Sequence, residues 1–112
     1  MTPDRPSVRS LVQAPKIAAR GDIIEIRAII AHRMETGFRH TERGERIARD
    51  IIRRFECRYN GVEIFSADLH PAIAANPLIS FHTVATESGR LQCRWIGDNG
   101  LLVNNEVEIV VS

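Results

Sequence analysis

From Asp22 to Ile30 the chain reads DIIEIRAII, with Ile24, Ile26, Ala28 and Ile30 alternating with Glu25, Arg27 and Ile29. A period of two predicts a strand with one buried face. Ile51 to Asn60 repeats the pattern, setting Phe55, Cys57 and Tyr59 against Arg54, Glu56 and Arg58. Asn60-Gly61 is a strong hairpin signal because both residues tolerate positive φ, and Val62 to Leu69 returns from it. Leu78 to Ala85 and Arg90 to Ile96 are two further strands joined by Thr86-Glu87-Ser88-Gly89. Asp98-Asn99-Gly100 turns into a last strand ending at Ser112, and Ser7 to Val12, closed by Ala14-Pro15, is the first. About seven strands with a turn roughly every 8–12 residues are the pattern of an all-β sandwich.

Helical signals are few. Ile47, Ile51 and Ile52 fit a helical stripe within Arg43 to Arg53, where Gly44 and the following strand limit a helix to a turn or two. Pro71 and Pro77 bracket an irregular crossing. Residues 1–6 read as a mobile arm, and residues 1–112 as a single domain.

One polar stretch is explained by neither strand nor helix: Ala31 to Gly44, AHRMETGFRHTERG. It is longer than the median connection of about 4–6 residues. It groups His32, Met34 and Arg39 around Gly37, and unusual side chains on a loop of a rigid scaffold point to binding. Arg39 offers a two-pronged contact to an anion or a carboxylate.

Composition narrows the partners. A net charge of +1 supplies no general attraction to nucleic acid or an anionic membrane. Eight arginines from Arg33 to Arg58 are interspersed with five carboxylates, which reads as a solvated face. No apolar run approaches the roughly 20 residues of a membrane span. The start, MTPDRPSVRSL, lacks the basic, apolar and small-residue segments of a secretory signal.

Chemistry-bearing residues form no active-site pattern. The four histidines, His32, His40, His70 and His82, have no metal-ligand spacing. No paired-carboxylate, Ser/His/Asp or glycine-rich phosphate motif occurs, so neither an enzyme nor a cofactor is expected. Cys57 and Cys93 fall on the apolar faces of their strands. They read either as buried core thiols or, if those strands are neighbours in an oxidising compartment, as a disulfide. Ile23 and Ile29, and Leu102 and Val110, stand on the outward faces of their strands. Apolar residues there suggest a covered surface.

His32-Arg33-Met34-Glu35-Thr36-Gly37 resembles the His-Pro-Met-Glu-Thr-Gly signature of the SoxZ family of thiosulfate-oxidation carrier subunits. The likeness runs from about Pro15 to Val111. It takes in Gly21-Asp22 with Glu25-Ile26, Cys57 to Gly61, Phe65 to Pro77, Thr86 to Gly89 and the Trp95 to Gly100 turn. Arg33, Ala48 and Leu78 depart from the family's pattern, which has proline, proline and an aromatic there.

The resemblance implies an immunoglobulin-like β-sandwich of about seven antiparallel strands. It implies a non-catalytic subunit of the SoxYZ sulfur-carrier complex, paired as a heterodimer with a SoxY-like subunit. That partner holds the sulfur intermediate on a cysteine of its C-terminal arm, and the complex visits other sulfur-oxidation enzymes. A periplasmic location follows, reached by co-export with the partner. The alternative from another class is a stand-alone immunoglobulin-like domain that binds a small ligand or serves in adhesion.

Overall fold

The computed structural model describes residues 9–31, 37–69 and 77–112. Eight strands occur among them: β1 (Arg9–Gln13), β2 (Ile17–Ala18), β3 (Ile23–Ala31), β4 (Ile52–Tyr59), β5 (Val62–Asp68), β6 (Leu78–Val84), β7 (Gly89–Gly97) and β8 (Leu102–Val111). They form two sheets, one of three strands in the order β1-β3-β6 and one of five in the order β2-β8-β7-β4-β5. The arm expected over residues 1–6 lies outside the described residues.

Alternation decides which side chains enter the space between the sheets. β3 is buried at every second residue, with Ile26, Ala28 and Ile30 fully enclosed. The five-stranded sheet answers with Phe55, Cys57, Leu91, Cys93, Trp95 and Ile109. Phe55 links the layers, its ring centroid 4.6 Å from Trp95 and 6.3 Å from Phe81. Phe65 of the edge strand β5 stacks on Phe81 at 4.4 Å. Aromatic pairs at such separations add about 0.5–1.5 kcal/mol beyond the area they bury.

Seven strands match those expected, and all of them pair antiparallel. The eighth, β2, is two residues long and runs parallel to β8. Ala14, Pro15 and Lys16 separate it from β1. The chain crosses there from one sheet to the other, and the Lys16 carbonyl accepts from the Val110 N–H at 2.9 Å. Proline lacks a donor and cannot continue a ladder, which makes it suited to the crossing.

The helical turn expected within Arg43 to Arg53 is not formed. A small hairpin takes its place, with a bridge between His40 and Arg46. The Thr41 N–H donates to the Glu45 carbonyl and the Ile47 N–H to the Arg39 carbonyl, each at 2.8 Å. Gly44 closes the turn at φ +82°. Ile51 and Ile52, which suggested a helical stripe, instead enter the core at the start of β4. Local helical spacing yields here to tertiary burial.

The Asn60-Gly61 turn adopts positive φ at both residues, 48° and 83°. Its asparagine does more than turn the chain. The Asn60 Oδ1 accepts from the Arg90 N–H at 3.0 Å, fixing the start of β7. A Cβ on Gly89 would lie 1.7 Å from that oxygen, so only glycine fits.

Candidate functional site

The two outer faces of the sandwich differ in chemistry. On the three-stranded sheet, the register sets Leu11 of β1 opposite Ile29 of β3, and Ile29 opposite Leu78 of β6. The three side chains form one apolar row across the sheet and are 51%, 40% and 52% exposed. Shallow depressions of about 320 and 270 Å³ lie along it, bordered by Arg9, Gln13 and Arg27. Ile23 and Val84 form a second exposed apolar pair. It stands about 20 Å along β3 from the first.

Charged pairs cover the outer face of the five-stranded sheet. Glu56 accepts from Arg94 through Nε at 3.2 Å and NH2 at 2.9 Å, and from Arg54 Nε at 3.4 Å. Arg94 foremost, against the cost of burial, holds the Glu56 carboxyl below its usual range. Arg54 also donates to Asp68 at 2.9 Å, and Gln92 to Glu106 at 2.7 Å. A shallow groove of about 330 Å³ runs over this network, with Arg58 and Asn104 on its walls.

The structure therefore does not bring the four apolar residues singled out from the sequence into one patch. Ile23 and Ile29 lie on one outer face, while Leu102 and Val110 lie at opposite ends of β8 on the other. Leu11, Leu78 and Val84, which complete the apolar face, escaped the sequence reading. Their register with β3 shows only once the sheet is assembled, although Leu78 had stood out as a departure from the family pattern.

His32 and Met34 lie outside the described residues. Arg39 is exposed, at the base of the small hairpin. That loop is anchored by Asp98, whose part went unread because Asp98-Asn99-Gly100 reads as a plain turn. Arg49 grips the Asp98 carboxylate with two bonds, at 2.8 and 3.0 Å, and Arg53 Nε lies 3.2 Å away. The Ile51 N–H donates to it at 3.2 Å. Burial pushes this carboxyl up, but the guanidinium of Arg49, the Ile51 N–H and Arg53 outweigh burial and hold it below its usual range. At the far end Arg46 donates to the Gly37 carbonyl, and its guanidinium sits 6.0 Å from the Phe38 ring centroid. The spacing suits a cation–π contact.

The register also sets Cys57 directly opposite Cys93 on β4 and β7. Both are buried and unbonded, with Sγ atoms 3.0 Å apart. The contact with Cys93, reinforced by burial, pushes the Cys57 thiol well above its ordinary range. The same contact draws Cys93 down against burial. Neither sulfur meets solvent.

A family model described as Sulphur oxidation protein SoxZ matches residues 12–108. The chain belongs to the SoxZ family. No curated protein sequence matches it significantly. Among solved structures, it is similar to the superoxide reductase (neelaredoxin) from Ignicoccus hospitalis. The TM-score is 0.72 at 19% identity, covering 92% of this chain and 80% of that one. The sulfur carrier protein SoxY from Chlorobium limicola f thiosulfatophilum aligns at TM-score 0.65 and 15% identity, covering 91% and 74%. A CARDB domain from Pyrococcus furiosus aligns at 0.56 and 10%, covering 100% and 93%. At these identities the likenesses establish a shared fold. Among the described residues, no three His, Cys, Asp or Glu side chains gather as metal ligands, and no helix is long and apolar enough to cross a membrane.

Proposed function

We propose that this SoxZ-family chain is the non-catalytic, non-cargo-bearing half of a sulfur-carrier complex. It pairs with a SoxY-like subunit that holds the sulfur intermediate on its own cysteine. The observation that carries this reading is the placement of the two thiols, Cys57 and Cys93, at 0% and 1% exposure within the core. A cargo thiol must reach the active sites of other proteins, and a sulfur enclosed between two sheets cannot.

The partner seats on the outer face of the three-stranded sheet, centred on the Leu11–Ile29–Leu78 row. An interface core is apolar with a polar rim, and this face has that composition, with Arg9, Gln13 and Arg27 at the border. On the opposite face Arg54, Glu56, Arg94 and Glu106 already bond within the face. The complex works in the periplasm, which the chain reaches together with its partner.

Co-expression with a SoxY-like subunit, followed by size exclusion, is expected to give a 1:1 complex. Two separate peaks at micromolar concentration refute the pairing. Intact mass after incubation with thiosulfate and an oxidant should show the adduct on the partner. A stable adduct on native Cys57 or Cys93 refutes the non-cargo role.

A further inference from the structure

We propose that Cys57 and Cys93 are a redox pair that closes into an intramolecular disulfide between β4 and β7. Closure would withdraw both thiols of the chain from the sulfur chemistry around it. The functional half of this statement rests on the carrier reading above. The bond itself does not.

Geometry favours closure without moving the backbone. Residues directly opposite on antiparallel strands have Cα atoms about 4.5 or 5.5 Å apart, depending on the type of pair. Both values fall inside the roughly 4.4–6.8 Å window of disulfides. Cys57 and Cys93 are such a pair, in uninterrupted register with Glu56↔Arg94 before them and Arg58↔Gln92 after. Both side chains point to the same face of the sheet, and their sulfurs already touch at 3.0 Å. A bond of about 2.05 Å needs each sulfur to shift by roughly half an ångström, within reach of a small χ1 adjustment.

The neighbourhood holds the pair in place. Phe55↔Trp95 and Tyr59↔Leu91 flank it in the same two strands, and all four residues are buried. Enclosure leaves no room for a bulky mixed disulfide on the native protein. Formation therefore belongs to the folding chain or to a transient opening of the β4–β7 ladder.

The reaction balances with a small-molecule disulfide, RSSR, as the oxidant. One protein thiolate attacks a sulfur of RSSR, forming a mixed disulfide and releasing RS⁻. The second protein thiolate attacks the protein sulfur of that mixed disulfide and expels the other RS⁻. In sum, two protein thiols and RSSR give one protein disulfide and two RSH. The protein loses two electrons and two protons, and RSSR gains them.

The purpose follows from the carrier reading. Free thiolates attack cysteine-bound sulfur, so a thiol in the subunit beside the cargo is a route by which the cargo is lost. A disulfide whose two sulfurs face the core ends that route even when the subunit breathes.

The test uses the full chain, reduced and denatured, then refolded with a mixture of oxidised and reduced glutathione. Remaining thiols are alkylated under denaturing conditions and the intact mass is read. The expected product is unalkylated, monomeric and about 2 Da lighter than the reduced chain. It should melt several degrees higher than the reduced chain, because the cross-link constrains the unfolded state. Cys57→Ala and Cys93→Ala, each alkylated once at the remaining thiol, serve as folded controls, their folding checked by circular dichroism.

Two alkylated thiols, glutathione adducts or intermolecular dimers as the main product from the folded wild-type chain would overturn the proposal. So would an oxidised monomer that melts below the reduced one. None of these outcomes depends on a partner or on thiosulfate. The disulfide can therefore fail while the carrier reading stands, and the reverse holds equally.

Discussion

The outer faces of the two sheets share one fold and one alternation rule, yet differ in what they do with their outward side chains. On the five-stranded sheet, Arg54, Glu56, Arg94, Gln92 and Glu106 bond to one another across β4, β7 and β8. The charges of this network are met within the face. On the three-stranded sheet, Leu11, Ile29 and Leu78 line up across the strands and remain exposed. Water meets that row at a cost of about 25 cal/mol for each Å² of apolar surface left open. A surface that satisfies itself suits a free face, and one that does not suits a partner.

The largest expected effect breaks this contrast directly. Ile29→Asp should weaken the complex with a SoxY-like subunit by about 100-fold or more, about 3 kcal/mol, as for a central interface residue. The isolated chain should lose less than about 1 kcal/mol, since the site is on the surface. Leu102→Asp, on the charged face, should leave the affinity within about threefold. Titration calorimetry on both variants decides. If Leu102→Asp disrupts binding and Ile29→Asp does not, the assignment of the faces is reversed.

A somewhat smaller effect concerns the anchor between the arginine-rich loop and the β7–β8 turn. Asp98→Ala removes the acceptor of Arg49, Arg53 and the Ile51 N–H. The arginines are about half exposed and can return to water, but Ile51 is buried. An unmet buried donor costs about 1–3 kcal/mol, so about 2 kcal/mol is expected. The melting temperature should fall by about 10 °C. A limited-protease digest should cut first between Gly37 and Ile51. If stability is unchanged, the anchor is decorative.

Glu56→Gln tests the charged network, with an expected loss of about 1 kcal/mol in urea unfolding. Its pH dependence has a definite sign. The Glu56 carboxyl is held low by Arg94, so it contributes stability above the pH at which an unfolded glutamate ionises, about 4.3. That contribution fades as pH falls through the lowered folded value. Wild type should therefore lose its advantage over Glu56→Gln at strongly acid pH. A gap that persists there would show packing, not charge, to be the cause.

The smallest effect is that of salt. Raising sodium chloride from about 0.05 to 0.5 M should cost the isolated chain less than about 0.5 kcal/mol through its exposed pairs. The heterodimer affinity should change by less than about threefold if the apolar row is the core of the interface. A steep loss of affinity with salt would move the interface to the charged face.

Particular residues show how far the sequence reaches. Ile24, Ile26, Ala28 and Ile30 announce β3 and its buried face without help, because a strand's period of two is a local property. Asn60-Gly61 announces its turn for the same reason. The phrases from Gly21-Asp22 to Gly100 announce the family. Ile47, Ile51 and Ile52 misled, since three isoleucines at helical spacing carry no record of the core awaiting the last two. Pro15 marked the end of a strand but not the change of sheet that follows it.

Tertiary structure alone decided what lies beside what. Outwardness can be read from one strand, and so Ile23, Ile29, Leu102 and Val110 were all visible as apolar and outward. Whether outward residues share a face depends on strand order and register, which are set by contacts between segments far apart in sequence. That order separated Ile23 and Ile29 from Leu102 and Val110, joined Ile29 to Leu11 and Leu78, and placed Cys57 against Cys93 across 36 positions. The sequence by itself determined seven of the eight strands, their buried sides and the family. The assembled sheets determined the apolar row and the thiol pair, because both arise from neighbours in space that no local pattern encodes.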